Sequence, residues 1–118
     1  MSDLENGLWA CGTPRTVNPA VFAVNYTYVT AMVKGGDNVW ALKTGDAAAG
    51  PLIKTFEGAR PPGYHPMRKE GSIILGIGGD NSNSAVGTFL EGALTAGYTS
   101  DATDDALQAD LVAAGWGK

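Results

Sequence analysis

Carboxylate side chains are the residues of this sequence best suited to chemistry, and they occur in two settings. Asp80 ends the run SIILGIGGD, in which an apolar stretch leads into glycines and small polar residues follow. Asp3 and Glu5 lie two positions apart in the opening MSDLENGLW, a spacing that on a β-strand places both on one face. Hydrolysis of a glycosidic bond uses two such carboxyl groups. Asp80 is therefore one candidate for a catalytic pair, and the opening segment offers candidates for its partner.

Simpler explanations exist for each of these acids. Glycine adopts positive φ without strain and aspartate bonds its own backbone, so Gly-Gly-Asp is typical of a turn. The tetrapeptide GGDN occurs at 35–38 and at 78–81, but only the first copy lies between two strand-like runs, as in a hairpin. Close carboxylates such as Asp3 and Glu5 raise the pKa of one of them, and this arrangement occurs in active sites and on surfaces. The residues alone leave the turn and surface interpretations open.

The segment around Asp80 does not match either of two ligand-binding motifs that contain similar residues. A dinucleotide-binding loop requires a third glycine where Asn81 stands. An EF-hand calcium loop would begin at Asp80 and end at Glu91, but serines replace its inner acids and Ala85 replaces the required glycine. The single histidine, His65, is interpreted as a loop residue rather than a general base. We therefore expect neither a cofactor nor a metal ion.

Composition limits the kind of protein that can position these acids. The chain has 118 residues, 17 glycines, 17% charged residues and a net charge of −4, which predicts one loop-rich domain and does not suggest nucleic-acid binding. No apolar run reaches the length of a membrane span, and Met1 to Leu8 lacks the features of a signal peptide. Cys11, the only cysteine, cannot form a disulfide within the chain. The expected partner is a neutral or small molecule, not a nucleic acid or a membrane.

Short strands and one terminal helix are the predicted elements. The runs NYTYVTAMVK (25–34) and VWALK (39–43) predict a hairpin around the first GGDN. Further strands are predicted over 52–56, 72–77 and 87–95, with a proline-rich loop over 58–67. The segment from Ser100 to Ala114 has helical spacing of apolar residues, with Ser100 or Asp101 as its cap and Gly115 as its stop. The acids of this helix are expected to be solvated.

Longer segments resemble one enzyme family. These are DLENG (3–7), KGGDNVWAL (34–42), GARPPGYHPMRKEGSIILGIGGDNSNS (58–84), GTFLEGALTAGY (87–98) and SDATDDALQADLVAAGW (100–116). Together they are similar to the later part of the catalytic domain of α-L-arabinofuranosidase B, glycoside hydrolase family fifty-four. The resemblance implies a mostly β fold, the lectin-like portion of an antiparallel β-sandwich with one C-terminal α-helix. It covers residues 1–118 as a single domain, without the family's arabinose-binding module.

The same resemblance implies a reaction and residues to perform it. The reaction is retaining hydrolysis of terminal α-L-arabinofuranosyl units of arabinan or arabinoxylan, so the partner is an arabinose-containing polysaccharide or oligosaccharide. By motif, Glu5 matches the nucleophile and Asp80 the acid/base, and a retaining pair is expected to lie about 5 to 5.5 Å apart. The residues expected to line the sugar pocket are Asp3, Asn6 and Gly79, by motif, and Trp9, by its position after DLENG.

Departures from the family leave a second function open. The family's domain is more than twice this length, and its first part, with an adjacent cysteine pair and a sugar-contacting tryptophan, has no counterpart here. The chain is therefore expected to be truncated. The alternative is a catalytically incomplete sandwich fragment that binds glycans or self-associates through exposed strand edges. Family resemblance implies an extracellular protein, and the sequon Asn25-Tyr26-Thr27 has meaning only if a eukaryote secretes it.

Overall fold

Two small antiparallel sheets and one helix make up the described part of the chain. The computed structural model describes residues 2–3, 7–10, 16–17, 22–60 and 86–118. The elements are β1 (Ser2–Asp3), β2 (Gly7–Ala10), β3 (Thr16–Val17), β4 (Val29–Gly35), β5 (Val39–Asp46), β6 (Ala49–Ala59) and α1 (Asp101–Ala114). The first sheet has the strand order β1-β2-β3 and the second β4-β5-β6. Within these ranges, no helix has the length and apolar character needed to cross a membrane. The strand predicted over 72–77 and residues 61–67 of the predicted loop lie outside the described residues.

The predicted hairpin around the first GGDN is confirmed. Strands β4 and β5 pair in antiparallel register from Val29↔Asp46 to Gly35↔Trp40. The backbone N–H of Gly36 donates to the carbonyl of Val39 (2.8 Å) and closes the turn. The ladder starts at Val29, four residues after the predicted start at Asn25. The strand-forming residues of this run therefore favour a strand but do not determine where pairing begins.

Strand β6 is longer than the strand predicted over 52–56, and the loop predicted from Gly58 is wrong for Gly58 and Ala59, which pair with Trp40 and Val39. A tight turn at Ala47 and Ala48 joins it to β5, with the Asp46 side chain accepting from the Ala48 N–H (2.8 Å). A β-bulge follows, since Leu42 pairs with Phe56 whereas Lys43 pairs with Lys54. Thr55 is the extra residue, and its hydroxyl donates to the Leu42 carbonyl (3.2 Å). Its backbone is thereby tied to the sheet despite the missing ladder position.

The strand predicted over 87–95 is wrong. Residues 86–95 carry no regular secondary structure and are exposed. A strand needs a ladder partner as well as apolar residues, and no described strand pairs with this segment. Gly87 and Gly92 also reduce the preference of the segment for strand. Glu91, expected on that strand, is therefore a residue of an irregular segment.

The predicted helix is confirmed at both ends. Ser100 is the N-cap, and its hydroxyl oxygen accepts from the backbone N–H of Thr103 (3.2 Å). Gly115 ends the helix in the left-handed conformation (φ 77°), with its N–H donating to the Val112 carbonyl (3.2 Å). The cap residues thus set the helix from Asp101 to Ala114.

The second sheet has an ionic face and an apolar face. Side chains alternate along strands, so the pairings Lys34↔Ala41 and Lys43↔Lys54 place three lysines on the face that receives α1. The pairings Val33↔Leu42 and Leu42↔Phe56 place apolar residues on the opposite face. Leu42 is buried there, whereas Val33 is 75% exposed. The helix therefore docks on the polar side of its sheet.

Asp104 of α1 is the centre of this docking. Its carboxylate oxygen Oδ2 lies 2.6 Å from Lys34 Nζ and 2.7 Å from Lys43 Nζ, and its side chain is 0% exposed. Its other oxygen accepts from the Thr99 hydroxyl (2.5 Å). The expectation that the helix acids are solvated is therefore wrong for Asp104, because two buried ammonium groups require a carboxylate between them.

Asp101, one helical turn earlier, extends the same cluster to β6. Its Oδ1 lies 2.8 Å from Lys43 Nζ and its Oδ2 lies 2.8 Å from Lys54 Nζ. Lys54 also pairs with Glu57. We call these six residues, Lys34, Lys43, Lys54, Glu57, Asp101 and Asp104, the ionic cluster. Three positive and three negative side chains join all three strands of the sheet to the start of the helix.

Burial and ion pairing shift the pKa values of the ionic cluster in opposite directions. Burial is the largest influence on the pKa of Asp104 and raises it, but bonds from Lys34, Lys43 and Thr99 together outweigh burial and hold this pKa below its usual value. Burial likewise lowers the pKa of Lys43, yet its bonds to Asp101 and Asp104 prevail and the pKa is raised. Bonds from Lys43 and Lys54 hold the pKa of Asp101 well below its usual range. The charged forms are therefore the stable ones.

Gln108 makes the second polar anchor of the helix, one turn beyond Asp104. Its side chain is almost fully buried, and its Nε2 donates to the carbonyls of Asp46 (2.7 Å) and Gly50 (3.2 Å). These two carbonyls flank the turn between β5 and β6. The helix thus fixes that turn as well as the lysine face.

Replacement of Asp104 by asparagine should strongly destabilise the fold. The change keeps the side-chain shape but leaves two buried ammonium groups without their shared counter-charge, for which we expect a cost of about 3 to 5 kcal/mol. Urea unfolding followed by circular dichroism measures this difference. Asp105→Asn is the matched control, because Asp105 is exposed on the next position of the helix, and it should change the stability by less than about 0.5 kcal/mol. Equal midpoints for the two variants would contradict the assigned role of Asp104.

Stability should be greatest between roughly pH 5 and pH 10. The pKa of Asp104 is below its unfolded value of 3.8, so its stabilisation is present above that value and is lost as the pH falls through the folded pKa. The pKa of Lys43 is above its unfolded value of 10.5, so its stabilisation is present below that value and is lost as the pH rises through the folded pKa. Unfolding midpoints across a pH series measure how stability falls on the acid limb and on the alkaline limb of the stability–pH profile. The acid limb should be shallower in Asp104→Asn, and an unchanged limb would contradict this assignment.

Candidate functional site

The two predicted catalytic carboxylates lie outside the described residues. Glu5 falls in the interval 4–6 and Asp80 in the interval 61–85. Asn6 and Gly79, predicted to line the sugar pocket, fall in the same two intervals. The separation of about 5 to 5.5 Å between the carboxyl groups of Glu5 and Asp80 stays a prediction.

The other two predicted pocket residues lie on paired strands of the first sheet. Asp3 in β1 is the partner of Gly7 in β2, and Trp9 in β2 is the partner of Val17 in β3. Partners across an antiparallel ladder share a face, and so do residues two apart on one strand. Positions 3, 7 and 9 therefore share one face of this sheet. The register brings together the two pocket positions that the structure describes.

The strand that was expected to carry both Asp3 and Glu5 ends at Asp3. Because Asp3 is paired antiparallel with Gly7, the chain direction reverses between these two residues. The ladder holds the two ends of the interval 4–6 next to each other. The proposed nucleophile, Glu5, is the middle position of this interval. A common face for Asp3 and Glu5 stays a prediction, since Glu5 is outside the described residues.

A groove lies beside β4. Its volume is about 240 Å³, and it lies between β4 and the irregular segment before α1. The residues that line it are Met32, Val33, Lys34, Gly35, Ala93, Leu94, Thr95, Gly97, Thr99 and Leu107. None of these is a carboxylate, so the groove lacks the groups that glycoside hydrolysis requires. We do not assign the catalytic site to it.

Trp40 and Trp116 have ordinary packing and surface roles. Trp40 packs against Phe56 with ring centroids 4.4 Å apart on the apolar face of the second sheet. Trp116 is 38% exposed after the helix, and its indole N–H donates to Glu91 (3.0 Å). This hydrogen bond occupies the carboxylate of Glu91.

The ionic cluster has many titratable groups but the properties of a structural contact. Its formal charges balance, and each buried ionic group within it is bonded to an opposite charge. Tyr98 lies against it, with Lys34 Nζ 4.4 Å from the ring centroid. Burial and then the charge of Glu57 raise the pKa of the Tyr98 phenol. No group of three metal-ligating side chains occurs among the residues described. The cluster therefore locks the helix to the sheet.

Sequence reasoning missed this cluster although a signal for it was present. Lys34 and Lys43 are flanked by strand-forming residues, which indicates that both lie within strands. Asp101, Asp104 and Gln108 follow a spacing of three and four, which places them on one helix face. Buried lysines call for carboxylate partners. The lysines in the hairpin and the polar stripe on the helix, taken together, could therefore have predicted the contact between the two elements.

Comparison with known proteins places this architecture in a family. A family model described as alpha-L-arabinofuranosidase B, catalytic, matches residues 1–117. A probable alpha-L-arabinofuranosidase B of Aspergillus clavatus is 55% identical over 98% of this chain, and the alpha-L-arabinofuranosidase B of Emericella nidulans is 56% identical over 97%. The chain spans 23% of the length of either relative.

Solved structures give the same result. A glutamate-to-glutamine mutant of a GH54 α-L-arabinofuranosidase, soaked with 4-nitrophenyl α-L-arabinofuranoside, superposes with a TM-score of 0.71 at 54% identity. This match covers 82% of this chain and 21% of that one. An arabinofuranosidase complexed with arabinofuranosyl-α-1,2-xylobiose superposes with a TM-score of 0.72 at 52% identity, covering 85% of this chain and 21% of that one.

These likenesses confirm two predictions made from the sequence. The fold class, a mostly β antiparallel sandwich portion with one C-terminal α-helix, agrees with the described sheets and with the structural matches. The family resemblance is confirmed by a model that matches almost every residue and by relatives above half identity. The chain belongs to the family of α-L-arabinofuranosidase B catalytic domains and spans part of the length of its relatives.

Proposed function

We propose that the chain carries the catalytic carboxylates of a retaining glycoside hydrolase that acts outside the cell. The substrate class is arabinan or arabinoxylan, from which terminal α-L-arabinofuranosyl units are released. The observation that carries the proposal is the family match over residues 1–117, since it includes both DLENG and GIGGD. A relative complexed with arabinofuranosyl-α-1,2-xylobiose supports an arabinose-containing substrate.

Glu5 is the proposed nucleophile. In a retaining reaction an ionised carboxylate attacks the anomeric carbon and forms a covalent glycosyl-enzyme intermediate, which water then hydrolyses. The pairing of Asp3 with Gly7 supports this role, because it holds the first and last residues of DLENG next to each other. Restraint of this kind favours a reacting group that must approach one carbon atom closely.

Asp80 is the proposed acid/base. It donates a proton to the leaving oxygen in the first step and accepts a proton from water in the second. The first step requires that it be protonated at the working pH, which needs a raised pKa. Glycines before it keep side chains away from the approaching sugar.

The pocket positions Asp3 and Trp9 support a sugar site on the first sheet. By the register of the ladder, positions 3 and 9 fall on one face of this sheet. Hydrogen-bonding groups beside an aromatic ring suit a sugar, which has hydroxyl groups on its rim and C–H groups on its faces.

Glu5→Gln should abolish release of 4-nitrophenol from 4-nitrophenyl α-L-arabinofuranoside. The amide cannot form the covalent intermediate, so no leaving group rescues the reaction. Absorbance of the released phenol measures the rate. Glu91→Gln is the matched control, because Glu91 is exposed and bonded only to Trp116 among the described residues, and it should retain the activity of the unmodified chain. Full activity of Glu5→Gln would refute the nucleophile assignment.

Asp80→Asn should separate substrates by their leaving group. Aryl arabinofuranosides with acidic phenols need little protonation to depart, whereas arabinoxylan oligosaccharides need an acid, so the variant should lose far more activity on the oligosaccharides. The ratio of kcat/KM for the two substrates measures this effect. Asp37→Asn changes the first GGDN copy, in the hairpin turn, and should leave the ratio unchanged. Equal losses on both substrates would count against Asp80 as the acid.

A second function is favoured by the apolar face of the second sheet. Val33 is 75% exposed and Ile53 is 40% exposed on this face, and β4 is an edge strand of its sheet among the described residues. Exposed edges and apolar residues pair readily with other chains. The alternative proposal is therefore a catalytically incomplete, glycan-binding or self-associating structural protein. In this alternative, the edge of β4 forms the contact between copies of the chain.

Val33→Lys should reduce self-association if the alternative is correct. A charge on the apolar face beside the edge opposes contact between copies. Sedimentation velocity over a concentration series compares the variant with the unmodified chain. Asp105→Lys, an exposed change on the helix, controls for added positive charge and should leave association unaltered. A strictly monomeric unmodified chain that hydrolyses the aryl arabinofuranoside would eliminate this alternative and support the enzyme.

A further inference from the structure

An exposed sequon precedes the second sheet. Asn25-Tyr26-Thr27 is the one Asn-X-Ser/Thr sequence in the 118 residues, since each other asparagine lacks the hydroxyl residue two positions on. Asn25 and Thr27 are both exposed. Residues 22–26 have no regular secondary structure, so the modified side chain would not interrupt a ladder or a helix. Sequence and exposure together meet the requirements of a surface glycosylation site.

We propose that Asn25 is an acceptor for N-linked oligosaccharide when the chain enters a eukaryotic secretory pathway. The side-chain amide nitrogen of Asn25 forms a bond to the anomeric carbon of a lipid-linked oligosaccharide diphosphate. The bond from that carbon to the diphosphate oxygen breaks, the lipid diphosphate leaves, and the amide nitrogen loses one proton. The Thr27 hydroxyl is the recognition group for this transfer.

The position of Asn25 gives the glycan a structural consequence. It lies four residues before Val29, the first residue of the edge strand β4, which is a span of at most about 13 Å of extended chain. Val29 is 40% exposed and Phe22, on the other side of Asn25, is 39% exposed. A bulky hydrophilic group at this point stands near apolar residues and near the start of an edge that no described strand pairs with. Natural sheets protect such edges with bulky or charged groups.

The test is expression of the full chain behind a secretory leader in yeast. Total protein, cellular and secreted, is analysed by mass spectrometry before and after treatment with an endoglycosidase specific for N-linked glycans. We expect a form heavier by one core oligosaccharide that the enzyme converts to the unmodified mass. Transfer takes place on the entering chain, so a variant that folds poorly still reports whether its sequon is used.

Three variants and a control define the acceptor. Asn25→Gln and Thr27→Val should remove the heavier form, whereas Thr27→Ser keeps a hydroxyl and should retain it. Asn38→Gln, which changes an exposed asparagine outside any sequon, should leave the heavier form unchanged. The proposal is overturned if the unmodified chain shows no endoglycosidase-sensitive form while a known glycoprotein from the same culture does. It is also overturned if Asn25→Gln keeps the heavier form.

Discussion

The carboxylate of Asp104, enclosed between the ammonium groups of Lys34 and Lys43, determines how the helix meets its sheet. Two lysines on neighbouring strands share a face because the hairpin register places position 34 opposite position 41, two residues before Lys43. Buried together, their charges would repel each other strongly without an anion between them. The helix supplies that anion. Together with the contacts of Asp101 and Gln108, this ion pair fixes the rotation and the axial position of the helix on the sheet.

This docking differs from the usual packing of a helix on a sheet. A helix is commonly held by an apolar stripe, and burial of that stripe is not strongly directional. Leu107 and Leu111 of α1 are only partly buried, whereas Asp104 and Gln108 are buried almost completely. Hydrogen bonds and ion pairs require defined distances, so the contact specifies one position of the helix. The apolar residues of the sheet are left to the opposite face, where Trp40, Leu42 and Phe56 pack together.

Local patterns in the sequence predicted those elements whose causes are local. Ser100 and Gly115 mark the helix because capping acts on adjacent backbone groups, and the first GGDN marks a hairpin because its turn joins neighbouring strands. Pairing between distant segments has no such marker. Residues 87–95 were predicted as a strand and yet have no ladder partner among the described residues. Asp104 looked solvated because its partners Lys34 and Lys43 are 70 and 61 residues away in the sequence. For the candidate site, residue types suggested a carboxylate pair, but the resemblance of DLENG and GIGGD to a family was needed to choose Glu5 and Asp80.

The buried charges of the ionic cluster also influence how the contact responds to temperature. Hydration of charged groups becomes less favourable as water warms, so the penalty for removing Lys34, Lys43 and Asp104 from water decreases on heating. Hydrophobic stabilisation reaches a plateau over the same range. Heating therefore favours the ionic attachment of α1 relative to an apolar contact of similar size. The helix is held by a kind of contact that suits warm conditions.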